Sequence, residues 1–237
     1  SLRKKAEKRR MSSIALLRNM HRKVSLFMLF INILLIVILG ALCPDADASP
    51  RTPDDLIETS CGDNTTASGR VLVAYDTIHG STAEVAAAIG TELCAQGFSA
   101  DIRWVGNVAS IDGYDAIVLG SAIYEFTWLP DAKAFLSKNE KQLASVPVAC
   151  FIVCSALSQD AADNRAAIKK SFVDSVLGEY PGINPVAAGL FGGAVDFTTN
   201  QYNLFERVVL RILGRVLGFT DTADWRNWEA IRQWADE

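Results

Sequence analysis

The sequence predicts an α/β protein: a doubly wound, five-stranded parallel sheet of order 2-1-3-4-5, preceded by an N-terminal transmembrane or signal helix. Three observations point there. From residue 70 onward, short continuously apolar runs alternate with stretches of helical periodicity, the pattern of strands buried on both faces and joined by helical crossovers. The first strand-to-helix junction carries three hydroxyls and a glycine. Further upstream, 19 consecutive residues, Val24 to Leu42, carry no charge and only Ser25 and Asn32 as polar members.

That apolar run would span roughly 28 Å as a helix, about the hydrocarbon thickness of a bilayer. Pro44 would end it. The basic segment 1–23 precedes it, so the positive-inside bias places 1–23 in the cytoplasm and the chain after 43 on the extracytoplasmic side. The run at 24–43 reads as a membrane anchor. The competing reading is a secretory signal cut after Ala48, in the small-x-small sequence Ala46-Asp47-Ala48, which would give a secreted protein. Membrane lipid is thus an expected partner. Residues 44–69, rich in Pro, Asp, Ser, Thr and Gly, read as a linker. The remaining residues, 70–237, form the domain.

Within it, Arg70–Tyr75 is the first strand, and Ser81–Gln96 is a helix with Val85, Ile89 and Leu93 on one face. Phe98–Val105 and Asp115–Ile123 are the next strands, followed by a helix from Pro130 to Leu143. Val146–Ser155 is a fourth strand and Ala161–Leu177 a helix. Asn184–Gly192 is a fifth strand, and Asp224–Asp236 the last helix. In such a fold ligands sit at the carboxyl ends of the strands, near the switch between the first and third. The loops after Tyr75, Gly120, Cys154 and Gly192 are therefore the ones to inspect.

Charge and composition exclude several classes. Residues 1–48 carry nine Lys and Arg against three Asp and Glu, whereas the other 189 carry 14 against 24. The acidic domain is unsuited to nucleic acid, whose binding rests on neutralising phosphates. The two histidines, His21 and His79, and the five cysteines without a CxxC pair provide no metal signature. Cys150 and Cys154 read as buried apolar residues. A Cys43–Cys61 bridge is conceivable only outside the cytoplasm.

The loop Thr77-Ile78-His79-Gly80-Ser81-Thr82 opens the first helix of the domain. Unpaired N–H groups and the helix dipole favour an anion at such a terminus. The hydroxyls of Thr77, Ser81 and Thr82 add donors, and Gly80 lets the backbone wrap closely. There is no Gly-Lys-Ser/Thr sequence, so this is not a nucleoside-triphosphate loop. Neutral donors suit a monophosphate.

With Val73, Ala74 and Tyr75 before it and Ala86 and Ile89 after it, the loop resembles the phosphate-binding signature of the flavodoxin family, with Ala74 smaller than that pattern expects. Ser121-Ala122-Ile123-Tyr124 resembles the family's second flavin loop, and Ser155-Ala156-Leu157 occupies the place of its third. The resemblance implies FMN as cofactor, bound by these three loops, with Tyr124 and Trp128 flanking the isoalloxazine ring. Between Gly192 and Thr222 lie 29 further residues, Gly193–Asp221, in which Arg207, Arg211 and Arg215 recur beside Leu204, Val208, Leu210, Ile212, Leu213, Val216 and Leu217. This reads as a basic amphipathic helix suited to a membrane surface, or as an insert packed on the domain. Together with Tyr202–Arg207, Thr220-Asp221-Thr222 and Asp224-Trp225 it resembles the menaquinone-dependent protoporphyrinogen dehydrogenase branch.

That branch implies a membrane-associated oxidoreductase with a quinone or redox protein as partner. The topology conflicts with it, because haem synthesis needs a cytoplasmic site. A membrane-tethered flavodoxin that carries electrons without its own substrate is the alternative. No residue is assigned a catalytic role; His79, Asp196 and Tyr124 are the candidates for moving a proton.

Overall fold

A computed structural model describes residues 55–158, 162–196 and 222–237, all within one unit, Ala48–Glu237. The expected helix at 24–43 and its basic flank lie outside the described residues, as does 197–221, nearly all of the long insert. Among the described residues no helix is long and apolar enough to cross a membrane.

The elements run β1 (Thr59–Cys61), β2 (Arg70–Asp76), α1 (Ser81–Ala95), β3 (Ser99–Trp104), β4 (Ala116–Tyr124), β5 (Thr127–Trp128), α2 (Pro130–Leu143) and β6 (Val148–Cys154). Next come α3 (Ala162–Ile168), a π-helical stretch (Lys169–Asp174), the single turn α4 (Ser175–Leu177), β7 (Ala187–Gly192), β8 (Ala194–Asp196), β9 (Thr222–Asp224) and α5 (Trp228–Asp236). The parallel strands lie side by side as β3-β2-β4-β6-β7. Counted along the chain, that is the expected order 2-1-3-4-5.

Side chains that alternate along each strand divide the core in two. Leu72 and Ala74 of β2, Ile117 and Leu119 of β4, and Ile152 of β6 share one cluster with Leu136 of α2 and Ile168 of α3. Val71, Val73 and Tyr75 of β2, Val118 of β4, and Phe151 and Val153 of β6 join Ile89 of α1 and Ile231 of α5 in the other. Burial on both faces is why these strands read as continuous apolar runs rather than alternating ones. On α1, the buried residues Thr82, Val85, Ala86, Ile89 and Gly90 form one helical face. Gly90 permits a close approach: a Cβ there would stand 2.6 Å from the Ile102 side chain of β3.

The segment expected as a linker contains a strand. β1 pairs antiparallel with β3, in register Thr59↔Ile102, Ser60↔Asp101 and Cys61↔Ala100. Composition hid it because three residues are too few to show a period. Cys61 is bonded to Cys94, on the last turn of α1, in a disulfide spanning 33 positions of sequence. The pairing therefore differs from the conceivable Cys43–Cys61 bridge. Cys94 lay in an expected helix, but Cys61 lay in the expected linker, and spacing alone does not bring the two together. Cys150 and Cys154 are buried thiols, as expected. Burial pushes Cys150 up to about 12.

Polar side chains also fasten β1. Asp101 of β3 accepts from Ser60 Oγ, from Tyr114 Oη at 2.9 Å and from Arg70 Nη2 at 2.6 Å. Burial alone would raise its carboxyl, but the hydrogen bonds from Ser60, Tyr114 and Arg70 outweigh that and hold it below its ordinary value. A carboxyl lowered in the folded state stabilises the fold above its unfolded value of about 4, and the contribution fades as pH falls through the lower, folded value. Asp101→Asn is expected to cost about 1–3 kcal/mol near pH 7. Urea unfolding should show this gap from the wild type closing on acidification below about pH 4.

Candidate functional site

The carboxyl ends of β2, β4, β6 and β7 bring the inspected loops to one edge of the sheet. At β2, the chain leaves the core through Asp76 and Thr77, both essentially buried. Asp76 was not anticipated from the sequence, where a lone acid at a strand end carries no signal. Its Oδ1 accepts from the Trp104 indole N–H at 3.2 Å and its Oδ2 from the Ala132 N–H, on the first turn of α2, at 3.0 Å. It thereby fixes the exit of β2 against two neighbouring elements. Asp76→Ala would leave both donors without this acceptor inside the protein. The expected cost is about 2–4 kcal/mol, read as a lower thermal midpoint.

Gly80 is the N-cap of α1, with φ of 80° and ψ of −22°. A side chain would be strained there, and glycine is not. Thr77 Oγ1 accepts from the Gly80 N–H at 3.1 Å and closes the loop on itself. Ser81 and His79 are half-buried, and Ile78 is buried. Thr82 is completely buried, and its Oγ1 has no hydrogen-bond partner among the described residues. An unmatched hydroxyl in the protein interior is costly. Here it lies at the start of a 15-residue helix, where backbone N–H groups and the dipole already favour negative charge. The donor set fits a phosphate monoester: an orphaned hydroxyl, a glycine turn and a helix terminus, with no lysine or arginine in the loop itself.

The second loop departs from expectation in detail. Ser121 is buried, and its Oγ is already engaged, accepting from the Leu129 N–H at 3.0 Å and donating to the Ala122 carbonyl at 2.8 Å. The side chain of Ser121 thus secures the loop, leaving contact with a ligand to Ala122, Ile123 and Tyr124. Trp128 does not stand at the site. It is 1% exposed, packs in the core with α2, and donates its indole N–H to the Phe172 carbonyl at 2.6 Å. The expectation that it flanks a ring is corrected by the β4–β5 hairpin, in which Ile123 pairs with Trp128 and Tyr124 with Thr127. The two residues at its tip, Glu125 and Phe126, have φ of 47° and 64°. A two-residue turn of type I′, which matches the strand twist, has positive φ at both positions, and bulky residues rarely supply it. The turn displays Tyr124 and Phe126, exposed by 42% and 73%. Phe126 is the aromatic that the sequence reading missed. Only the hairpin, two residues too short to predict, sets it beside Tyr124.

After β6, Ser155 and Ala156 are exposed on a short 3₁₀ turn, while Leu157 points into the core. Any contact of Leu157 with a ligand at this edge is therefore through its backbone. After β7, β8 and β9 form an antiparallel pair, Ala194↔Asp224 to Asp196↔Thr222. The expected last helix accordingly begins at Trp228 rather than Asp224, capped by Asn227, which accepts from the Ala230 N–H. The turn onto this pair is tight: a Cβ at Gly192 would stand 2.2 Å from the Trp225 carbonyl oxygen. Asp196 is half-buried on β8. A cleft of about 420 Å³ separates this pair from the first loop, lined by His79, Ser81, Glu84, Asp196, Asp224 and Arg226 among others. Hydrogen bonds to Asp224 raise Arg226 above its ordinary value, and the same bonds hold the Asp224 carboxyl down. Among the described residues no group of His, Cys, Asp and Glu could hold a metal ion.

Residues 72–223 match a protein family described as "Flavodoxin domain". The chain is similar to the protoporphyrinogen IX dehydrogenase (quinone) of Escherichia coli, 24% identical over 174 residues, 71% of this chain and 93% of that protein. Among solved structures, it is similar to a flavoprotein in complex with FMN from Lactobacillus acidophilus, at 17% identity, TM-score 0.39, 52% of this chain and 93% of that one. A flavo di-iron protein variant from Thermotoga maritima aligns at 17% identity and TM-score 0.41 over 64% of this chain, which spans 37% of that longer protein.

Proposed function

This chain belongs to the flavodoxin-domain family, and from that premise we propose that it is a membrane-associated FMN oxidoreductase of the protoporphyrinogen dehydrogenase (quinone) type. The observation that carries the cofactor is the Thr82 hydroxyl, buried without a partner at the head of α1. Thr77 to Thr82 would hold the phosphate. The backbone of Ala122 and Ile123 and the turn at Ser155 to Leu157 would border the ring, with Tyr124 and Phe126 supplying aromatic surface. Bound FMN supplies the redox chemistry, and the chain positions it and limits access to it. The type of reaction rests on the similarity to the quinone-linked dehydrogenase, which extends over 93% of that protein. Quinone as acceptor and lipid as support fit the apolar run at 24–43 and the arginine-bearing insert.

The disulfide favours a second reading. A disulfide such as Cys61–Cys94 favours an oxidising compartment. That agrees with the charge bias around 24–43, which puts the domain on the extracytoplasmic side. Porphyrinogen oxidation for haem belongs in the cytoplasm. A tethered electron carrier without its own substrate suits the outer side.

One experiment separates the two. The full chain in detergent, loaded with FMN and kept free of oxygen, is mixed with protoporphyrinogen IX while the flavin absorption is followed. Bleaching that a quinone reverses supports the dehydrogenase. Flavin that stays oxidised with the porphyrinogen, yet is reduced by dithionite and reoxidised by a quinone or redox protein, supports the carrier.

A further inference from the structure

We infer that Arg226, far from the phosphate loop in sequence, is the positioning residue that lets this chain prefer FMN over riboflavin; the inference rests on the FMN reading above. The loop has no lysine or arginine of its own, and the first turn of α1 carries an acid, Glu84. The Glu84 N–H donates to the Gly80 carbonyl at 3.1 Å, so this residue belongs to the same turn that presents N–H groups to an anion. A carboxylate there opposes the dipole's attraction for a phosphate dianion.

Arg226 answers that charge. Its Nη1 donates to Glu84 Oε2 at 2.8 Å, across 142 positions of sequence. The guanidinium is held from its other sides as well. Nη2 donates to Asp224 Oδ2 at 2.7 Å and Nε to Asp224 Oδ1 at 2.9 Å, while the plane lies 4.6 Å from the Trp228 ring centroid. Only 10% of the side chain is exposed, against 50% for Glu84. A guanidinium so clamped between β9 and α5 is preorganised and poorly screened, unlike a surface lysine. Arg226 also lines the cleft that His79 and Ser81 of the phosphate loop line. It therefore offsets part of the acid charge beside the anion site, which Glu84 and Asp224 together would otherwise present unpaired. The final helix is thereby coupled to the cofactor's phosphate end.

The test uses the full chain and two ligands that differ only in the phosphate. Arg226→Gln is titrated with FMN and with riboflavin by quenching of flavin fluorescence. FMN affinity is expected to fall about 10-fold, riboflavin affinity to change less than about two-fold, and the FMN defect to shrink in 1 M salt as screening grows. Glu84→Gln should bind FMN at least as tightly as the wild type. The double variant Glu84→Gln with Arg226→Gln should recover part of the loss, the remainder reflecting Asp224 left unpaired, an outcome that simple misfolding would not produce. Equal losses for FMN and riboflavin, no loss for either, or a Glu84→Gln variant as weak as Arg226→Gln would overturn the inference. A wild-type chain that binds riboflavin as tightly as FMN also overturns it, while leaving a flavin site in place. One that binds neither flavin overturns the FMN reading itself and this inference with it.

Discussion

Thr82→Val is expected to weaken FMN binding by about 10- to 100-fold and, in the same protein, to raise the stability of the cofactor-free chain. The two effects have one cause. Threonine and valine have nearly the same shape, so the substitution leaves the packing of α1 on the sheet intact. What it removes is Oγ1, which is fully buried and has no hydrogen-bond partner among the described residues. Without cofactor, that hydroxyl is a desolvated polar atom, and a methyl in its place should gain about 1 kcal/mol. For a domain of this size that is a rise of roughly 2–4 °C in thermal midpoint. With FMN, the hydroxyl would donate to a charged phosphate, a bond worth about 1.5–3 kcal/mol, and each 1.4 kcal/mol or so is tenfold in affinity. Fluorescence titration reads the first effect and calorimetry of the cofactor-free chain the second. Thr82→Ser, which keeps the oxygen, should bind within a few-fold of the wild type. A Thr82→Val chain that loses both affinity and stability would mean that Thr82 serves packing alone, and the phosphate assignment would fall.

The contrast between Thr82 and Trp128 shows what could be read in advance. The turn at 77–82 was legible as a strand-to-helix junction because its pattern is local: a strand end, hydroxyls, a glycine and a helix start, all within a dozen residues. The strand order followed for a similar reason, since five doubly buried strands alternating with helices leave few right-handed arrangements. Trp128 and Phe126 were not legible. Which of two aromatics two positions apart is buried depends on a hairpin whose turn is set by φ values at Glu125 and Phe126, and neither residue type announces them. Ser121 was expected on a flavin loop, yet it lies within β4, and the direction of its hydroxyl depends on the return of the chain to Leu129. Arg226 and Glu84 are remote in sequence, and only the packing of α5 beside α1 brings them together. Cys61 and Cys94 are the same case, joined by the placement of a three-residue strand that no periodicity reveals.

Breaking that disulfide is expected to weaken the fold substantially and to be nearly silent at the cofactor site. The bond ties β1, an edge strand of three residues, to the last turn of α1. Closing a loop of 33 positions removes unfolded-state entropy worth about 3–4 kcal/mol in the chain-entropy account. Replacing both cysteines with serine, or reducing the wild type, should lower the stability by about 2–4 kcal/mol, read as a drop in the urea midpoint with a steeper slope, because the uncrosslinked unfolded chain exposes more surface. The paired substitution and the reduced wild type should coincide. The cofactor loop lies at the opposite end of α1, and 15 helical residues put roughly 20 Å between the two. FMN affinity of the reduced, still folded chain should therefore stay within about two-fold, because helix rigidity and the Asp76 and Thr77 contacts that shape the loop do not depend on β1. The same measurement bears on where the domain works. In a reducing cytoplasm the thiols would stay apart, and the chain would lack several kcal/mol that its sequence provides for. Alkylation of the native chain that labels neither Cys61 nor Cys94 until reductant is added would place it in an oxidising compartment, on the side of the membrane where a tethered electron carrier fits. Free thiols at both positions, with no effect of reductant on stability, would remove that support and return the quinone-linked dehydrogenase to the cytoplasmic face.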